Sequence, residues 1–135
     1  MNIFQQSIPP MKQMLTNMLG WLDLAAKHAE AKKFDVDTLC TARLAPDMYS
    51  FTKQVQAACD TAKFTAARLS GNNPPVHPDT ETTMEQLRAR INTAIAYIDT
   101  VKEADFATAE DRMVAVAWMP GHAVKGSNYV TQLQL

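Results

Sequence analysis

The sequence predicts an all-α fold: a bundle of three long helices, a short β-hairpin near the C-terminus and an incomplete fourth helix. Three observations carry this. Apolar residues recur at spacings of three and four in three separate segments. Stretches rich in proline, or in proline and glycine, "LAPD" and "SGNNPP", separate those segments. After Phe106 the spacing changes to simple alternation, the period of a strand.

The first helix is expected over about 8–33. Pro9 and Pro10 suit a helix entrance, where a missing N–H costs nothing. Met11, Met14, Leu15, Met18, Leu22, Ala25, Ala26 and Ala29 then form a core-facing stripe. Leu19, Trp21 and Leu24 widen the apolar arc, which implies contacts on two sides. The basic run "KHAEAKK" is read as cations at the negative end of the helix dipole.

The second helix is expected over about 47–69. Pro46 disfavours helix for Ala45, and Asp47 is the expected cap, with Arg43 locking the entrance. Phe51, Val55, Ala58, Ala62, Ala66 and Leu69 share one face with Cys59 beside it. Lys53, Gln56, Asp60 and Lys63 form a polar ladder, read as a solvated edge with a surface pair between Asp60 and Lys63. Gly71 suits a left-handed cap, and the prolines after it forbid continuation.

The third helix is expected over about 80–102. Thr82 and Glu85 have capping-box spacing, with Asp79 and Thr80 as rivals. Met84, Leu87, Ile91, Ala94, Ile95, Ile98 and Val101 continue the stripe. A hairpin is expected at about 112–126, from the alternation of Val114, Val116 and Trp118. A last helix would start at 128–135, with Ser127 as its N-cap.

At 135 residues and 15.0 kDa the chain reads as a single domain, 1–135. A net charge of −1 with interspersed signs argues against nucleic-acid binding. No basic n-region precedes an apolar run, and no apolar stretch approaches the length of a membrane span. The expectation is therefore a cytoplasmic protein without a membrane role. Cys40 and Cys59 have no redox or disulfide spacing, and Cys59 reads as a small buried apolar residue.

The segments "ARLAPDMYSFTKQVQAACDTAKFTAARLSG", "DTETTMEQLRARI" and "AEDR" resemble an uncharacterised microbial family of the DinB-like superfamily, a domain of unknown function. The resemblance implies an up-down four-helix bundle, often dimeric, with an excursion before the last helix, and brings no reaction with it. Relatives continue past "YVTQLQL" into a further helix. The expectation is thus either a truncated chain or a partner, such as a second copy in a homodimer, that completes the packing. Better-known DinB-like relatives include metal-dependent thiol transferases, which hold a metal with three histidines. The corresponding second-helix positions, around Gln54, Gln56 and Asp60, carry none, so that alternative is disfavoured.

His28, His77 and His122 fall in three different elements and form no metal motif; no cofactor is expected, with a divalent metal left open. The catalytic candidates are Gln56 and Asp60, as a base one helical turn from an amide, although the solvated reading is preferred. The groove or interface candidates are Met14, Met18, Trp21 and Ile95. The function expected is an oligomeric interaction module, or a module that binds a small apolar ligand.

Overall fold

The computed structural model describes residues 2–107, 109, 113–115 and 123–129. Three helices, α1 (Ile3–Lys32), α2 (Phe51–Ser70) and α3 (Met84–Asp99), pack around one core. Short 3-10 turns at Val36–Thr41 and Glu103–Phe106 link them to their neighbours. Strands β1 (Met113–Ala115) and β2 (Ala123–Lys125) pair antiparallel with Val114 opposite Val124. Residues 116–122, which include Val116 and Trp118 of the expected first strand, lie outside the described residues.

α1 begins at Ile3 and not near residue 8, because Asn2 and Gln5 build a reciprocal capping box. Pro9 and Pro10 are therefore inside the helix, where each removes an N–H that would bond the carbonyl four residues before it. Both prolines, and Gln5 and Gln6 one turn earlier, are exposed, so water reaches that side of the helix. At the other end Lys33 takes the left-handed conformation, φ 60°, and the Phe34 N–H closes on the Ala29 carbonyl at 3.0 Å.

The α2 cap is Ser50, whose hydroxyl accepts from the Lys53 N–H at 3.4 Å. Asp47 lies in the preceding turn, closed by Met48 N–H on the Ala45 carbonyl, so the helix starts four residues later than expected. Arg43 does not lock onto Asp47: its Nη1 donates to the carbonyls of Pro46 and Met48. Likewise α3 is capped by Thr83 with Gln86, one residue beyond the expected pair. Asp37 of the first 3-10 turn adds a tertiary cap, accepting the Met84 N–H at 2.8 Å.

The core is made by the predicted stripes. Leu15 and Leu22 meet Val55, Cys59, Ala62, Ala66 and Leu69 of α2 and Leu87, Ile91, Ala94 and Ile98 of α3, each at most 3% exposed. The alanines let α2 approach its neighbours closely. Two ion pairs, Lys12–Asp99 and Arg88–Asp23, join α1 to α3. Residue numbers rise along one helix as they fall along the other, so these two helices are antiparallel.

After β2 the chain enters a helical turn at 126–129, so Ser127 lies within it and not before it. Tyr129 is buried and its hydroxyl accepts from Arg68 Nη1 at 3.0 Å, fastening this turn to α2. Gly126 sits against Ala109, whose carbonyl oxygen would be 1.7 Å from any added Cβ. The rest of the expected last helix, 130–135, lies outside the described residues. No described helix is long and apolar enough to cross a membrane.

Candidate functional site

Two features stand out from the packed bundle: a polar centre on the α2–α3 face and an apolar groove along α1. The polar centre is built on Arg90. This residue lies among Leu87, Ile91 and Ala94 on the buried face of α3 and is only 5% exposed. An arginine in that position needs carboxylate partners. Nη2 donates to Asp60 at 2.9 Å and Asp79 at 3.1 Å, and Nη1 to Glu81 at 2.7 Å and the Pro78 carbonyl at 3.0 Å. Gln56 donates to the other Glu81 oxygen at 3.0 Å, and Lys63 pairs with Asp60 at 3.3 Å.

The ladder on α2 is therefore not a solvated edge. Gln56 and Lys63 are buried, at 7% and 3% exposure, and the 71–83 segment folds back to set Glu81 on Gln56 and Asp79 on Arg90. Lys63 also lies 4.6 Å from the centroid of the Phe64 ring, a cation–π contact. Of the ladder only Lys53 is exposed. The sequence signal for this centre was present: "RARI" places Arg90 directly on the apolar stripe.

The centre's electrostatics follow from this geometry. Burial alone would push the Glu81 carboxyl up, but hydrogen bonds from Arg90, its own backbone N–H and Gln56 hold it below the usual carboxylate range. Burial opposes the Arg90 charge too, and its hydrogen bonds to Glu81, Asp60 and Asp79 more than offset that. His77 is lowered, first by burial and then by the cations Lys63 and Arg90. Burial pushes the Cys59 thiol up to about 11, so it is not a thiolate nucleophile at neutral pH. A hollow of about 290 Å³ opens beside Arg90, between His77, Glu81, Gln86 and Thr93.

Chemically, these groups are engaged with one another. Asp60 accepts from Arg90 and forms an ion pair with Lys63, and Gln56 is tied to Glu81. The carboxylates of Asp60, Asp79 and Glu81 converge on the Arg90 guanidinium. Among the described residues no three His, Cys, Asp or Glu side chains are grouped to hold a metal ion. His28 packs edge-on against Phe34, His77 lies near the polar centre, and His122 is outside the described residues.

The apolar groove consists of two hollows that share Trp21, Phe51 and Gln54. The larger, about 310 Å³, runs between α1, the first 3-10 turn and the loop before α2, with Ala25, Leu39, Leu44 and Met84 on its walls. The smaller, about 250 Å³, continues along α1 and α2 past Met14, Met18, Val55 and Ala58. Met14, Met18 and Trp21 are thus brought to one groove, and Ile95 packs against the core from α3, away from its walls. The width of the α1 apolar arc has a plain outcome: Met14 is 49%, Trp21 52% and Leu24 64% exposed.

The helical bundle is that of a DinB-like protein. A crystal structure of a DinB family member protein from Shewanella denitrificans matches with a TM-score of 0.86 at 35% identity, over 98% of this chain and 79% of that one. The model of the domain of unknown function DUF1993 matches residues 3–135, and the chain belongs to that family. No curated protein matches it.

Proposed function

We propose that this chain is a binding module, a DinB-like bundle that takes a small apolar ligand in the Trp21 groove. The observation that carries the reading is the adjacency of two apolar hollows that have Trp21, Phe51 and Gln54 as shared walls. The larger reaches the lower end of the range, about 300–1,000 Å³, of pockets that bind small ligands. Titration with decanol, followed by Trp21 fluorescence, tests it. A saturable shift that disappears in Trp21→Phe and weakens in Ala25→Phe is expected; a flat titration would refute the reading.

A second reading is assembly of two copies through the exposed face of α1. It is favoured by Met14, Trp21 and Leu24, large apolar side chains standing half-exposed or more on one helix. Leu24 is outside both hollows, so Leu24→Glu separates the two readings. Sedimentation equilibrium should give a dimer that this substitution dissociates, and a wild-type monomer at micromolar concentration would sink the idea.

A metal-dependent thiol transferase is not favoured, since the α2 amides and carboxylate near the relevant positions are engaged: Gln54 with the Tyr49 carbonyl, Gln56 with Glu81, Asp60 with Arg90. A cytoplasmic site of action is supported by two free, buried thiols, Cys40 and Cys59.

A further inference from the structure

We propose that the ligand of the Trp21 groove is an apolar carboxylic acid, its carboxylate held by Arg43 at the rim. This rests on the groove being a ligand site, and it adds the head group. Among the described residues, Arg43 is the one ionisable residue on the wall of the larger hollow, and neither hollow has an acidic wall residue.

The state of Arg43 separates it from the other described arginines. Arg88 is held by Asp23, Arg90 by three carboxylates, and Arg68 by the Tyr129 hydroxyl and the Phe64 ring. Arg43 spends Nη1 on two carbonyls, Pro46 at 3.4 Å and Met48 at 3.2 Å, and pairs with no carboxylate among the described residues. Those two bonds fix the side chain to its own loop and, among the described residues, leave Nε and Nη2 for another acceptor. A guanidinium presents paired donors that match a carboxylate. The charge is exposed, so an anion need not be fully stripped of water to reach it. An apolar trough whose described walls carry one pre-positioned cation is complementary to an amphipathic anion: a tail for Trp21, Phe51 and Met84, and a head for Arg43.

Paired titrations with decanoate and decanol, both below their aggregation limits and followed by Trp21 fluorescence, test the assignment. Wild type should bind decanoate about three- to tenfold more tightly than decanol, the range for a charge-assisted hydrogen bond at an exposed site. Added salt should weaken decanoate alone. Arg43→Gln keeps a donor for the loop carbonyls and removes the charge. It should bring decanoate down to the level of decanol, leave decanol unchanged, and melt as wild type does. Equal binding of the two ligands by wild type, or decanoate binding unmoved by Arg43→Gln, overturns the carboxylate assignment while the groove stands. Binding of neither ligand, or a signal that persists in Trp21→Phe, overturns the groove reading and this inference with it.

Discussion

Arg90 donates to Asp60 at 2.9 Å across thirty positions of sequence, tying α3 to α2 through a guanidinium that also holds Asp79 and Glu81. The hub is buried, so its removal is not equivalent to loss of a surface pair. Arg90→Met should cost roughly 3–5 kcal/mol, because three carboxylates beside the core lose their counter-charge. Glu81→Gln, which removes one charge and keeps an acceptor, should cost about 1–2 kcal/mol. Urea unfolding measures both, and an Arg90→Met loss under about 1 kcal/mol would rule out the hub's structural role.

The same centre makes stability depend on pH. His77 has a folded pKa below its ordinary 6.5, so below that pH the unfolded chain takes up a proton that the folded chain resists. Glu81, also lowered, stabilises the fold above its ordinary 4.5, and that contribution is lost as pH falls through its folded value. Both act in one direction: acid destabilises. Chemical denaturation from roughly pH 8 to pH 5 should show a decline that His77→Gln flattens. An unchanged slope in that variant would remove His77 from the account.

Ser50 takes the capping role expected of Asp47 from the sequence. Ser50→Ala should destabilise α2 by about 0.5–1 kcal/mol, the low end for a cap, since the bond is long at 3.4 Å. Asp47→Ala should change little. Thermal melts of the two variants decide it, and the reverse order would return the cap to Asp47.

Gly126 has no room for a side chain. Gly126→Ala drives a Cβ into the Ala109 carbonyl at 1.7 Å, and backbone is the obstacle. The expected cost is about 1–3 kcal/mol, as for other overpacked sites. A melt indistinguishable from wild type would show that the 126–129 turn docks differently.

Cys59 should resist alkylation in the native protein at neutral pH and react once unfolded, because burial holds its thiol near 11. Rapid native labelling at Cys59, mapped by mass spectrometry, would contradict its burial.

The sequence by itself determined the helices and their inward faces. Leu15, Val55 and Ile91 repeat with the helical period, and each is buried as that period requires. Boundaries moved where several capping residues compete within a few positions: Asn2 over the prolines, Ser50 over Asp47, Thr83 over Thr82. Each cap is a local choice, yet it also depends on how the entering chain is held, as Asp37 on the Met84 N–H shows.

The tertiary structure alone decided the chemistry of the polar ladder. Lys53 and Lys63 look alike in sequence, but only Lys63 is buried, and Gln56 of the same ladder is held by Glu81 from a segment that carries no helical period of its own. Whether a polar side chain meets water or a buried partner depends on what folds over it, and periodicity describes one element at a time. The groove is similar. The excess apolar width of α1 was legible in Trp21 and Leu24, but its shape required the loop that brings Arg43 and Leu44 alongside.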